Sequence, residues 1–554
     1  MIAIKGTGVS GGIAAGPAYS YRRTAAAAPK MQAENPEKEL VKWKEASAAA
    51  AAQLDTLAEK TRAEIGEEAA MLFETHRMML EDLDYTDRIT ALITEEKHSA
   101  PSAVETAGKE FAEMFAAMDD DYMKARSVDV TDISNRVISI LNGSSDSNAQ
   151  ISCPVIVLAD DLTPSETVQL DKTKILGFIL SEGNANSHTA ILARTLGIPA
   201  IIRADLDKNM DYEGRQIIMD GSIGSIVIDP DEVTRKYLEE KQREEKSIKE
   251  MLERLKGQPD QTADGKEIKV YANITAPDDV DAVIANDARG IGLFRSEFLY
   301  LGSEDFPDEE TQFAAYKTVV QRMNGRRVII RTLDIGADKK IGYFHLADEE
   351  NPALGMRAIR ICLSRPELFK TQLRALYRAS AYGKLSIMFP MVSSLWEIQE
   401  AKRLCNAVME ELKKEHIPFD PALELGVMIE TPAAVMIAPE LAREVSFFSI
   451  GTNDLTQYAL AVDRQSVSGL ERFYDARHPA VLRMIQMTVD AAHDAGIWAG
   501  ICGELAADCS LTETFLQMGI DELSVSPQSI LPIRNAVQHS SIEKTEERTR
   551  SSLF

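Results

Sequence analysis

Residues 425–431, "LGVMIET", and 447–454, "FFSIGTND", are two apolar runs that each stop on polar or ionisable side chains. Each is short for a helix and too apolar for a loop, so each reads as a buried strand. Six similar runs share this half of the chain: "IKVYAN" (268–273), "GIGLFR" (290–295), "VIIRTLD" (328–334), "LSIMFPM" (385–391), "IWAGICGE" (497–504) and "DELSVSP" (521–527). Helical stretches lie between them. Eight such alternations over roughly 280 residues predict a (β/α)8 TIM barrel. Most runs end in polar or reactive residues: Arg295, Arg331, Asp334, Glu430, Asn453, Asp454, Cys502 and Glu504. In a barrel such strand ends gather on one rim, where active sites are built.

Glu430 and Asp454 close the fifth and sixth runs. Two hard carboxylates with no nearby His or Cys fit Mg²⁺, which keeps open positions for substrate oxygens. The plain alternative is that each carboxylate caps the helix that follows. Arg295 and Arg331 close the second and third runs. A guanidinium fork grips phosphate oxygens through paired, charge-assisted hydrogen bonds. Alternatively, a buried arginine there needs a carboxylate, and Glu297 or Asp334 is at hand. Arg357 in "NPALGMRAIR" (351–360), Arg464 in "VDR" (462–464) and Lys339 in "GADKK" (336–340) follow loops and are weaker candidates. Cys502 is either a small apolar packer or a general acid, since a thiol is mostly protonated at neutral pH.

The remaining sequence is organised differently. A length of 554 residues suggests two to four domains, and 45% apolar content can supply several cores. The 87 acidic against 61 basic side chains, a net charge of −26, argue against general nucleic-acid binding. No apolar run is long enough to span a membrane, and "MIAIKGTGVSGG" has no signal-peptide pattern. Five cysteines do not form a disulfide framework in so long a chain, so the cytoplasm is the expected compartment. The first 20 residues read as a short strand with glycine-rich turns, and "GTGVSGG" lacks the Lys-Ser/Thr of a phosphate loop.

From 33 to 143, apolar residues recur at helical spacing in four groups: Leu40 to Leu57; Leu72, His76, Met79 and Leu83; Val104 to Met118; and Val130 to Ile140. This predicts a bundle of about four helices. "CPVIVLA", "ILGFIL" and "QIIMDGSIGSIVID" read as two buried strands and a hairpin. "LTPSETVQL" carries a capping box, with Thr163 as N-cap and Glu166 reaching back. The expected organisation is multidomain α/β. Residues 1–22 and 144–230 form an α/β domain with an inserted helical bundle at 23–143. A charged linker helix spans 231–258, the barrel 259–540, and a polar tail 541–554.

"NANSHTAILAR" (184–194) places His188 at what looks like the start of a helix. The positive end of the helix dipole disfavours imidazolium, favours the nucleophilic neutral ring, and stabilises a phosphoryl group once attached. Taken alone, the position also suits an ordinary first-turn residue. Together, however, "SHTAILARTLGIPAI", "DLTPSETVQL", "GIGLFRSEFLY", "ENPALGMRAIR", "GVMIETPAA", "FFSIGTNDLTQYALAVDR" and "ICGELAAD" resemble the Enzyme I family of PEP-utilising enzymes in the bacterial phosphoenolpyruvate:sugar phosphotransferase system. The resemblance runs in order over nearly the whole chain.

It implies that His188 accepts the phosphoryl group of phosphoenolpyruvate and passes it to a histidine of the carrier HPr. It implies that Arg295, Arg331 and Arg464 hold the substrate with Asn453 and Asp454 beside it, and that Glu430 and Asp454 bind Mg²⁺; Arg357 is added to the substrate-binding set from the residue reading above. Cys502 would protonate the enolate carbon. Glu67, Glu68, Met78, Met79 and Leu83 would belong to the HPr-docking face, and the barrel would make a homodimer. One departure stands out. The family usually has Gly-Gly and a Thr or Ser before its Ser-His pair, where this chain has Gly183, Asn184, Ala185 and Asn186.

Because His188 and the substrate fall in different domains, the resemblance also implies a swivel of the histidine domain. A pyruvate dikinase or phosphoenolpyruvate synthase would need a nucleotide-binding domain, for which residues 20–150 are too short and too helical. A non-catalytic sensor of the same fold is the other alternative.

Overall fold

The computed structural model describes residues 1–21, 35–64, 67–117, 121–143, 151–163, 166–167, 170–183, 188–207, 210–301, 303, 305–336, 341–347, 349–463 and 471–542. The side chains at 63, 64, 67–69, 121–125, 188, 191, 195, 196, 238, 239, 242, 245 and 471 lie outside that description. The chain divides into two compact units, Met1–Ser247 and Ile248–Phe554.

The first unit contains an eight-stranded sheet. Its strands are β1 (Ile2–Lys5), β2 (Thr7–Ser10), β3 (Ile13–Ser20), β4 (Val155–Ala159), β5 (Ile175–Leu180), β6 (Ala200–Ile202), β7 (Gln216–Asp220) and β8 (Ser225–Ile228). They lie in the order β1-β8-β7-β3-β4-β5-β6-β2. The N-terminal segment is thus three strands rather than the single one expected, because its glycines permit close packing rather than only turns. A Cβ on Gly8 would stand 2.0 Å from Gly221 O, so β2 lies against the β7–β8 turn. The buried runs behave as read. Ile156 and Leu158 pack on one face of the sheet, Val155 and Val157 on the other. The Thr163 capping box is present: Glu166 N donates to Thr163 Oγ1 (3.3 Å) and Thr163 N to Glu166 Oε2 (2.7 Å).

β3 and β4 are parallel neighbours, Ala18 opposite Ile156, yet 134 residues separate the end of one from the start of the other. That interval carries α1 (Pro36–Glu64), α2 (Glu67–Leu80), α3 (Leu83–Thr94), α4 (Ala100–Ala116) and α5 (Asp121–Leu141). Among the described residues, five helices replace the expected four or so. The supposed stripe from Leu72 to Leu83 crosses a break, where Asp82 turns out of helical geometry and its carboxylate accepts from Asp84 N and Tyr85 N. Leu83 therefore starts α3 and is 76% exposed. His76 is fully buried, with Nε2 3.1 Å from Asp129 Oδ1 and Nδ1 3.6 Å from Asp132 Oδ2. No helix among the described residues is long and apolar enough to cross a membrane.

The helix Glu232–Glu253 exposes Val233, Tyr237, Ile248 and Met251 and is tied to the sheet where Lys241 Nζ meets Asp220 Oδ2 at 2.7 Å. The second unit is a closed barrel of β9 (Lys269–Ile274), β10 (Gly290–Arg295), β11 (Arg327–Arg331), β12 (Leu385–Phe389), β13 (Glu424–Ile429), β14 (Phe447–Ile450), β15 (Trp498–Ile501) and β16 (Glu522–Val525). Every neighbouring pair is parallel, and β16 closes on β9 with Leu523 opposite Val270. A large apolar core joins the barrel wall to its helices, while Leu293, Ile329, Met388, Met428, Phe447 and Cys502 fill the interior.

Arg534, in the C-terminal helix Ile530–His539, is fully buried beneath this barrel. Its Nε donates to Asp260 Oδ1 (2.5 Å), Nη1 to Asp287 Oδ2 (2.8 Å) and Leu255 O (3.1 Å), and Nη2 to Asp287 O (2.7 Å). One side chain thereby joins the approach to β9, the approach to β10 and the last helix. Arg534→Met strips both carboxylates of their hydrogen-bonded counter-ion and leaves each only Arg289, 3.9 Å away. Such a loss costs about 3–5 kcal/mol, to be read from urea unfolding. A loss near zero would show that the barrel closes without this staple.

Candidate active site

The strand ends that carry the site are set by barrel geometry. Arg295 is the exposed last residue of β10, and Arg331 ends β11 with 8% of its surface accessible. Glu430 follows β13 directly and is fully buried. Asp454 is not itself at a strand end: it lies in the first turn of the helix Thr452–Leu460 after β14. Cys502 follows β15. Together with Arg357, Asn453 and Asp334 these residues line one cavity of about 700 Å³.

The two readings of Arg331, substrate grip and internal ion pair, share a single arrangement. Its Nη2 donates to Glu297 Oε1 at 2.7 Å, and its Nη1 lies 2.9 Å from Asp334 Oδ2. Asp334 Oδ1 in turn accepts from Arg357 Nη2 at 2.9 Å, and Arg357 Nη1 reaches Asp454 Oδ1 at 3.4 Å and the Tyr458 hydroxyl at 3.2 Å. Charges of alternating sign thus run Glu297–Arg331–Asp334–Arg357–Asp454. Burial opposes the charge on Arg331. The carboxylates of Glu297, Asp334, Glu430 and Asp454 outweigh it and raise its pKa above the usual arginine value. Arg357 is raised by the same balance, first against burial and then by Asp334 and Asp454.

Glu430 stands in the opposite position. Burial, then Asp454 and Asp334, push its carboxyl well above the ordinary carboxylate range, against the pull of Arg331 and Arg357. Its Oε1 accepts from Met391 N at 2.6 Å, whereas Oε2 has no hydrogen-bond partner among the described residues. Met391 reaches that contact with φ of 56°, an uncommon angle for a side chain of its size. The described residues hold no group of three or more His, Cys, Asp or Glu arranged as a metal cage. A partnerless buried carboxylate oxygen beside a second carboxylate nevertheless fits a hard divalent cation that takes its other ligands from substrate and water.

Cys502 is 3% exposed among Leu293, Met428 and Phe447, its Sγ 3.6 Å from Ile450 O. Burial pushes its thiol up to about 12, so it keeps its proton at neutral pH. Asn453 pairs across the rim: Nδ2 donates to Glu504 Oε1 (3.0 Å), and Glu504 N donates to Oδ1 (2.9 Å). Arg464 and Lys339 lie outside the described residues.

In the first unit, the expected helix starts at His188 and runs to Leu196. Thr189, fully buried, lies 3.3 Å from both Leu162 O and Thr167 Oγ1 and ties that helix to the segment after β4. The His188 side chain, residues 184–187, and the side chains of Glu67 and Glu68 lie outside the description. Met78 (72%) and Leu83 (76%) are exposed. Met79 instead is partly buried against the bundle core, with Arg126 Nη1 3.7 Å from its Sδ.

Sequence reasoning missed Tyr458, whose hydroxyl bridges Arg357 to Ala353 O, and Ala358. Ala358 holds φ 53°, ψ −127°, and its N–H reaches Ile335 O at 3.0 Å. Strain of this kind costs about 1–3 kcal/mol and concentrates at functional sites. Here it lies next to Arg357. An alanine carries no sign of it in the sequence.

Three family models match the chain. Residues 249–542 match the PEP-binding domain of PEP-utilising enzymes, 5–126 their N-terminal domain, and 151–224 their mobile domain. Phosphoenolpyruvate-protein phosphotransferase of Bacillus subtilis (strain 168) is 40% identical over 547 residues, covering 99% of this chain and 96% of the relative. That of Geobacillus stearothermophilus is 41% identical over 532 residues, covering 96% and 92%. A solution structure of Enzyme I is 32% identical, with a TM-score of 0.39, over 44% of this chain and 99% of that one. With identity of this extent and a PEP-binding-domain match over more than half its length, the chain belongs to the phosphoenolpyruvate-protein phosphotransferase family.

Proposed function

We propose that this chain performs the first phosphoryl transfer of a sugar phosphotransferase system. Phosphoenolpyruvate gives its phosphoryl group to His188, pyruvate leaves, and His188 passes the group to a histidine of HPr. One observation carries the reading. In a chain of this family, a buried and a half-buried guanidinium, carboxylates and a protonated thiol share one cavity at the mouth of a closed barrel.

In the first step the bond from the enol oxygen to phosphorus breaks as a bond from phosphorus to an imidazole nitrogen forms. Arg295, Arg331, Arg357 and Arg464 hold the phosphate and carboxylate oxygens, with Asn453 and Asp454 beside them. Arg331 and Arg357 stay ionised whether or not an anion is present, so the site meets the phosphate with its charges already aimed. The enolate left behind takes a proton on carbon from Cys502 Sγ. Glu430 and Asp454 would hold Mg²⁺, as the partnerless Glu430 Oε2 supports. When bound, the ion supplies a Lewis acid that spreads charge on the substrate oxygens.

Residues 1–22 and 144–230 serve in this reading as the phosphohistidine domain, 23–143 as the HPr-binding bundle, and 231–258 as the linker. Residues 259–540 bind phosphoenolpyruvate and form a homodimer, and 541–554 are a polar tail. His188 and the barrel belong to different compact units, so loading and unloading require the histidine domain to swivel. Exposed Met78 and Leu83 support an apolar contact for HPr. The cytoplasm is the compartment this chemistry requires, since HPr and phosphoenolpyruvate meet the enzyme in solution.

Incubation with labelled phosphoenolpyruvate and Mg²⁺ is expected to give an acid-labile label without ATP. The label should be absent in His188→Ala and move to added HPr. A need for ATP, or a label on another side chain, overturns the reading. Cys502→Ala is expected to slow pyruvate formation by about 10²–10⁴-fold. In the wild type, a thiol raised to about 12 loses its proton only as pH rises toward that value. No alkaline loss of rate should therefore appear near pH 8.5, where a free thiol titrates. Glu430→Gln is expected to weaken Mn²⁺ binding, followed by electron paramagnetic resonance, by more than about tenfold. Unchanged affinity would remove Glu430 from the metal site.

A further inference from the structure

Gln372 lies on the helix Pro366–Ser380 outside the barrel wall and is 1% exposed. A buried amide must find hydrogen bonds for both of its ends. Its Oε1 accepts from Leu333 N at 3.0 Å, and its Nε2 donates to Ser296 Oγ at 3.0 Å and to the Tyr316 hydroxyl at 3.0 Å. Only the oxygen can face Leu333 N, so the network itself fixes which way the amide points. Tyr316 is held in turn by donating to Gln312 Oε1 at 3.2 Å.

The two strand contacts fall at telling places. Ser296 stands between Arg295 and Glu297, and Leu333 is two residues past Arg331 and next to Asp334. The pairing of β10 with β11 ends at Arg295–Arg331. Immediately beyond that last pair, one side chain from outside the barrel bonds to both chains.

We propose that Gln372 is a positioning residue that sets the spacing between the two arginine-bearing strand ends and so governs the grip on the substrate phosphate. It touches neither substrate nor His188. Its influence passes through the Ser296 hydroxyl to Arg295 and Glu297, and through the Leu333 amide to Arg331 and Asp334. The proposal rests on the function proposed above, with phosphoenolpyruvate held by those arginines. Because arginines hold the phosphate both before and during transfer, loosening them acts mainly on KM.

The test uses the full-length enzyme and three variants. Gln372→Met keeps the length of the side chain and loses all three bonds. Its KM for phosphoenolpyruvate should rise about tenfold with kcat within about twofold of wild type. Transfer from the phosphorylated variant to HPr should be unchanged. Ser296→Ala, which releases only the β10 contact and alters little volume, should raise KM about threefold. Tyr316→Phe strips a partner from the same amide but leaves both strand contacts. It should lower the thermal midpoint and leave KM within about twofold of wild type. Unchanged KM in Gln372→Met or Ser296→Ala, or a rise in Tyr316→Phe equal to that in Gln372→Met, overturns the proposal and makes Gln372 a core residue only. Wild-type enzyme that takes no label from phosphoenolpyruvate defeats the proposed function instead, so the two failures are distinct.

Discussion

Arg331 is buried at the end of β11 with a carboxylate on each side, Glu297 at 2.7 Å and Asp334 at 2.9 Å. Removing a guanidinium from water costs several kcal/mol unless opposite charge meets it in good geometry. Here the two carboxylates meet it, and Arg357 and Asp454 extend the row. Those carboxylates keep Arg331 and Arg357 ionised. In the proposed function, an arriving phosphate therefore finds positive charge already in place. Along the same mouth, Glu297 Oε2, Arg331 Nε and Glu430 Oε2 have no hydrogen-bond partner among the described residues. Buried polar atoms left open in this way destabilise the fold by about 1–3 kcal/mol each. All three belong to residues that line the cavity.

The barrel was legible because its strands are buried on both faces. That burial leaves uninterrupted apolar runs, and each run stops where the chain reaches the polar rim. The runs overshoot the strands slightly. "FFSIGTND" contains β14 only as far as Ile450, and Asn453 and Asp454 belong to the next helix. The error does not disturb the site, since both residues still reach the same cavity. The bundle was harder to read. Apolar spacing continues from Leu72 through Leu83, and periodicity alone cannot see that Asp82 caps a new helix in the middle of it. The clue was local: an aspartate followed by Tyr85, Ile89 and Leu92 at helical intervals.

Within the site, the sequence exposed the ionisable residues and hid what joins them. Arg331 announced itself as the end of a buried run. Its bond to Glu297 depends on how two loops fold back, and the bridge from Asp334 to Arg357 spans 23 residues. Gln372 is further hidden, since a glutamine in a helix usually faces water. Only the three-dimensional approach of that helix to Ser296 and Leu333 turns it inward. The His188 helix was legible for the opposite reason: the signals that start a helix are all within a few residues of it.

The choice of a thiol on this rim follows from the same crowding of charge. Protonating a carbon requires an acid that stands in place, still protonated, when the enolate forms. A carboxylic acid near Arg331 and Arg357 would be drawn toward its ionised form unless buried as deeply as Glu430, whose Oε1 is already engaged by Met391 N. Cys502 avoids that conflict. Burial chiefly, with help from Glu522 and Glu430, disfavours its thiolate, while the Ser449 hydroxyl and, less, the Arg331 charge oppose them without reversing the balance. In the proposed function, one rim therefore holds cations for the phosphate and a protonated acid for the carbon. The cations sit in a row of ions, and the acid sits among Leu293, Met428 and Phe447.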